Sequence, residues 1–130
     1  YHKRRLSLDS FFIQVYKFGQ VRPILNKWHP QSKKIAYWFP LVFVLGLVLS
    51  LSLLIFNFKL GLYIYSVYFL IVFVSALNST VDIIASILCL PVVIIQFFGY
   101  GIGFAKSTIK LKLSNKPEPL LFPKLFFKIT

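Results

Sequence analysis

The sequence predicts an all-α membrane fold, an amphipathic interfacial helix followed by about three transmembrane helices. Three observations carry this. Between Lys34 and Lys106 only Lys59 and Asp82 are charged, and they divide the stretch into uncharged blocks of 24, 22 and 23 residues: Ile35 to Phe58, Leu60 to Val81 and Ile83 to Ala105. A bilayer core of ~30 Å takes ~20 apolar helical residues at ~1.5 Å each, so each block matches one crossing. The 130-residue chain is 58% hydrophobic and 14% charged, against ~25% charged in a soluble domain. Ahead of the blocks, apolar residues recur at helical spacing.

Positions 1–34 read as a basic interfacial helix and linker. Leu8, Phe11, Phe12, Val15 and Phe18 form a stripe at spacings of three and four, with Ser10, Gln14 and Lys17 on the other side. Large aromatics opposite polar and basic residues suit a helix lying in the membrane surface. Ser7 or Asp9 is placed to cap its start. Gly19 is expected to loosen its end, and Pro23 disfavours helix at Arg22. Residues 26–34 then form a polar linker, with Trp28 at headgroup level.

Residues 35–105 read as the transmembrane bundle, with spans near 37–56, 60–77 and 83–104. Tyr37 and Trp38 stand at the first mouth, and Pro40 falls in the first turn, where a missing N–H costs least. Asn57, Phe58 and Lys59 make a short turn. Asp82 is placed to cap the third span, and Pro91 to kink it. The basic tail, 106–130, contains Pro117, Pro119 and Pro123, which argue against a long helix. Ile109, Leu111 and Leu113 alternate with lysines there, as in a short strand or interfacial piece.

The net charge is +12, from 15 basic and 3 acidic residues. Eight basic residues lie in 1–34 and six in 106–130, flanking the apolar blocks. Membrane lipids are therefore the expected partners of this charge, and nucleic acid is not. Three full crossings put the two ends on opposite faces, with eight basic residues on one side and seven on the other. Each block's length favours this arrangement. A second arrangement keeps both ends on one face, the third block entering and leaving together, with Pro91, Gly99, Gly101 and Gly103 allowing a broken helix. The chain begins with Tyr1 and contains no Met; it reads as a piece of a longer protein.

Little in the sequence points to catalysis. Asp9, Asp82 and Glu118 are far apart, so no carboxylate pair is available. His2, His29 and Cys89 have no zinc spacing. The Gly99-Tyr100-Gly101-Ile102-Gly103 run ends an apolar block rather than following a strand, so it is read as helix packing through Gly99 and Gly103, not as a nucleotide loop. Gln96, an amide inside a span, is expected to make an interhelical hydrogen bond; the alternative is that it lines a lipid-substrate groove. Lys3, Arg4, Arg5, Lys17 and Arg22 are candidates to hold a lipid phosphate, since arginine matches phosphate through two hydrogen bonds.

Two stretches resemble a known family. Tyr1-His2-Lys3-Arg4-Arg5 followed by Phe11 to Arg22 (FFIQVYKFGQVR), and Gln96 to Phe104 (QFFGYGIGF), resemble the C-terminal membrane region of family-2 glycosyltransferases of the succinoglycan-type branch. The resemblance implies a parent enzyme moving a sugar from a nucleotide-sugar donor to a membrane acceptor, such as a polyprenyl-linked glycan. It implies a catalytic domain in cis, outside this sequence, holding a divalent metal at an Asp-x-Asp site; no cofactor is expected in this piece. It implies a multi-pass cell-membrane location with the N-terminal segment cytoplasmic. By position in the family, Gln14, Lys17 and Arg22 would lie beneath the active site. Gln20-Val21-Arg22-Pro23 departs from the family's Gln-x-x-Arg-Trp motif, which argues against processive polymerisation. The competing reading is a small non-enzymatic multi-pass protein, an assembly partner or transporter subunit.

Overall fold

The computed structural model describes residues 7–127. Lys3, Arg4 and Arg5 lie outside the described residues. The described chain is all-α: α1 is Leu8–Trp28, α2 Phe39–Leu53, α3 Leu60–Thr80 and α4 Ile83–Leu113, and two single-turn helices follow, α5 Glu118–Leu121 and α6 Pro123–Phe126. Short 3-10 turns lie at Pro30–Ser32, Ile35–Trp38 and Leu54–Phe56. Three helical stretches are long and apolar enough to cross a membrane: Ile35–Phe56, Leu60–Thr80 and Ile83–Leu113.

Their outer surface explains why. Leu45, Leu49, Ile64, Leu70 and Ile71 are all about 60% exposed, and α3 buries no residue at all. In water such a continuous apolar surface would far exceed the few hundred Å² a monomer ordinarily exposes. A helix that is apolar all round is either buried in protein or surrounded by lipid.

Helix α1 differs from expectation. Its start is capped by Ser7, whose side chain accepts from the Ser10 N–H at 3.2 Å. It then runs unbroken through Gly19 and Pro23 to Trp28. Gly19 is not a terminator because it lies against α4: a Cβ there would run into the Tyr100 carbonyl oxygen. Pro23 is buried at the same interface face. The buried set is Val15, Gly19, Pro23 and Ile24, while Leu8, Phe12 and Phe18 stay exposed. The helix thus faces α4 with its small residues and turns much of the predicted aromatic stripe outward.

Helix α4 also exceeds expectation. It has 31 residues, about 46 Å at 1.5 Å each, and continues through Lys106, Lys110 and Lys112. Ile109, Leu111 and Leu113 are therefore helical rather than extended. Asp82 caps it, accepting from Ile84 N–H at 2.8 Å and Ala85 N–H at 3.4 Å; such a cap contributes about 1 kcal/mol. The preceding Val81 has φ 55°, a left-handed conformation costly for a β-branched residue.

The core sits where the helices meet α4. Phe12 packs on Gly99, Tyr16 and Gln20 on Gly103, and Gly19 on Tyr100 and Phe104, so α1 and the second half of α4 advance in parallel. Gly101 faces α2, within reach of Pro40 and Leu41. A second joint is aromatic: the Phe43 ring lies 4.4 Å from Phe97, 4.9 Å from Tyr65 and 5.2 Å from Tyr68. Such pairs add ~0.5–1.5 kcal/mol each beyond area burial. The Tyr65 hydroxyl donates to the Phe43 carbonyl at 2.7 Å, tying α3 to α2.

As α4 advances from Phe97 to Phe104, its partners on the first apolar stretch retreat from Phe43 through Pro40 to Trp38. The second half of α4 therefore lies beside α1 and the start of α2. The tail follows. Lys27 Nζ and Glu118 Oε1 are 2.7 Å apart, and the Trp28 and Phe126 rings are 6.1 Å apart. The end of α1 and the tail therefore meet.

Candidate functional site

Parallel packing of α1 on α4 leaves a groove where the start of α2 turns away from both. The groove is a cavity of about 630 Å³, within the ~300–1,000 Å³ range of small-molecule sites. Its walls are mostly apolar: Phe11, Val15, Phe18 and Val21 from α1, and Ala36 and Pro40 at the start of the first apolar stretch. Four polar side chains face it, Arg22, Tyr37, Gln96 and Tyr100.

Arg22 is the centre of this set. Its guanidinium carbon lies 4.0 Å from the centroid of the Tyr37 ring. Such a cation–π contact contributes ~0.5–2 kcal/mol and fixes the plane of the guanidinium. The Tyr100 phenol stands beside the same group. No carboxylate neutralises it among the described residues, since the one ion pair there belongs to Lys27 and Glu118. Arg22 is half-buried. A half-buried guanidinium with no anion beside it offers N–H donors in a fixed fork, a geometry that phosphate and carboxylate match.

Local sequence explains the placement. Arg22 precedes Pro23 in an unbroken helix, so it follows Phe11, Val15 and Phe18 by helical steps onto the groove wall. The Pro30–Ser32 turn then brings the chain back, so Tyr37 lies across from Arg22. Gln96 and Tyr100, four apart on α4, complete the opposite wall.

The structure brings Arg22 and Gln96 together and leaves Gln14 and Lys17 apart from them. Gln14 and Lys17 are exposed on α1 and are not among the groove's lining residues. Gln96 makes no side-chain hydrogen bond among the described residues; it lines the groove instead of joining two helices. Gln96 lies on the same stripe of α4 as Gly99 and Gly103 but remains exposed, so its amide stands in the groove beside Phe11 and Val15 rather than in a closed helix contact. Tyr37 and Tyr100 were missed as site residues. Tyr37 read as a mouth anchor and Tyr100 as part of a glycine run, and only the return of the linker joins them to Arg22. No group of three or more His, Cys, Asp and Glu lies together among the described residues.

The chain matches no known family model, no curated protein and no solved structure.

Proposed function

We propose that this chain is the membrane-embedded region of a glycosyltransferase, and that the groove holds the phosphate end of its lipid-linked acceptor. The observation that carries the reading is Arg22, a cation without a carboxylate partner, fixed against Tyr37 inside an otherwise apolar cavity. A polyprenyl phosphate has the matching chemistry, an apolar chain for Phe11, Val15, Phe18 and Pro40 and an anion for Arg22. Gln96 and Tyr100 supply further hydrogen-bonding groups. The likeness of the two quoted stretches to family-2 enzymes supports the enzyme class. In this reading the sugar-transferring domain and its divalent metal stand before Tyr1, and the groove face is cytoplasmic. The meeting of α1 with the tail supports placing both ends on that face.

The binding part is tested in nanodiscs with polyprenyl phosphate and the uncharged polyprenol. The phosphate should bind at least about tenfold more tightly, and Arg22→Ala should remove the difference. Equal binding of the two lipids refutes the groove. The enzyme part is tested by the coding DNA upstream of Tyr1, which should encode roughly 200 residues or more with an Asp-x-Asp after a strand. A stop codon followed directly by a start site would instead favour the small non-enzymatic membrane protein.

A further inference from the structure

A second cavity, of about 470 Å³, opens on the other side of α1. It lies between the end of α1, the linker before α2 and the last turns of α4. We propose that it binds the headgroup of an anionic phospholipid whose headgroup carries a hydroxyl, of the phosphatidylglycerol class. This proposal does not rest on the glycosyltransferase reading and uses none of the Arg22 groove.

The first observation is charge. Lys27, Lys33, Lys34 and Lys112 come from three separate elements and line one cavity. Lys27 is matched by Glu118 at 2.7 Å. Lys33, Lys34 and Lys112 have no carboxylate partner among the described residues. The other two acids lie elsewhere, Asp9 in the first turn of α1 and Asp82 at the cap of α4. Lysines gathered from different elements repel one another unless an anion joins them.

The second observation is independent of charge. Asn26 Oδ1 and Thr108 Oγ1 are buried with no hydrogen-bond partner among the described residues, and both residues line this cavity. Buried polar atoms are nearly always satisfied, and each orphan costs ~1–3 kcal/mol. The two orphans are complementary in kind. The Thr108 hydroxyl donates to a phosphate oxygen, whereas the Asn26 oxygen accepts from a headgroup hydroxyl. Phosphate alone, which only accepts when fully ionised, satisfies the first and not the second.

The third observation is the floor. Trp38 and Phe104 pack edge to face at 4.9 Å, and Phe104 is only 2% exposed. Ile35 and Leu111 extend this apolar surface, and Ile35 is 91% exposed. An apolar floor beneath a basic rim, where the charge-free part of α4 gives way to its lysines, suits the glycerol and upper chain of a lipid better than a free anion.

The test is native mass spectrometry of the purified full chain in detergent, titrated with phosphatidylglycerol, phosphatidylcholine and glycerol phosphate. Phosphatidylglycerol should be retained and the other two should not. Lys34→Gln and Lys112→Gln should each weaken it about fivefold, and Lys59→Gln, in the α2–α3 turn, should not. Thr108→Val and Asn26→Leu leave the net charge unchanged, and each should weaken it at least about threefold. Thr108→Ser restores the hydroxyl and should bind as the wild type does, which separates loss of the site from loss of the fold. Three results overturn the proposal. If Lys59→Gln weakens binding as much as Lys34→Gln, or if Thr108→Val and Asn26→Leu have no effect, the lysines attract headgroups without a built site. If glycerol phosphate binds as tightly as the lipid, the ligand is a soluble phosphate.

Discussion

Replacing glycines one at a time with alanine tests the α1–α4 interface most sharply, because the three glycines on this face, and Gly101 facing α2, meet different obstacles. A Cβ on Gly103 would run into the Tyr16 carbonyl oxygen, and one on Gly19 into the Tyr100 carbonyl oxygen. Backbone cannot rotate aside, so the helices must part, a form of overpacking that costs ~1–3 kcal/mol. Alanine returns ~0.8–1.0 kcal/mol of helix propensity. Because the obstacle at both positions is backbone, the cost lies in the upper half of that range, and the expected net loss is about 1–2 kcal/mol for Gly19→Ala or Gly103→Ala. At Gly99 the nearest atoms belong to the Phe12 ring, at 3.3 Å, in an exposed side chain that can shift. Gly99→Ala should therefore be neutral or gain up to ~1 kcal/mol of propensity. Gly101→Ala meets the Pro40 carbonyl oxygen at 3.1 Å and should fall between. Gly19 and Gly103 share one interface, so helices already parted for one accommodate the second. The double variant should lose less than the sum of the two. The assay is reversible unfolding in mixed micelles, followed by the fluorescence of Trp38, which rests on Phe104. The reasoning is refuted if Gly99→Ala costs as much as Gly103→Ala, or if Gly19 and Gly103 tolerate alanine freely.

Tyr65→Phe removes the 2.7 Å bond to the Phe43 carbonyl and should destabilise the α2–α3 pair by ~0.6–1.7 kcal/mol in the same assay. Val81→Gly relieves the left-handed φ of 55° and should raise stability by about 1 kcal/mol, whereas a strain-free turn would be weakened by the added flexibility. Glu118 is held below its ordinary value, chiefly by its hydrogen bond to Lys27. A depressed carboxylate stabilises the fold above its unfolded value, and that contribution is lost as pH falls through the folded one. The tail should therefore stay docked at neutral pH and release only as pH falls below the ordinary carboxylate range. Hydrogen exchange of residues 118–127 at neutral and acid pH, each relative to the unprotected rate, reads this, and Glu118→Gln should raise exchange already at neutral pH. Protection independent of pH would show that Trp28 and Phe126 hold the tail without the ion pair.

Much of this molecule is legible in its sequence, for a reason specific to lipid. A charge-free run in a bilayer must satisfy its own backbone, so length and composition identify the helices. Asp82 declared the start of α4 because a cap needs a short acceptor just before an apolar run. The boundaries at Gly19, Pro23 and Ala105 misled. Glycine and proline are breakers when nothing packs on them, and here Gly19 and Pro23 are buried against α4. Charge at Lys106 ends an apolar run without ending a helix, so α4 continued to Leu113.

The sequence by itself determined that residues 35–105 form helices suited to lipid, and that basic residues flank them, because periodicity and charge act over a few residues. Only the tertiary structure decided which motifs face one another. The parallel docking of α1 on α4, the seat of Arg22 against Tyr37 and the gathering of four lysines around Asn26 and Thr108 all depend on where the chain turns between residues 29 and 38. That turn is fixed by packing between residues about eighty apart in sequence, Gly19 on Tyr100 and Tyr16 on Gly103, and no local pattern encodes such a pairing.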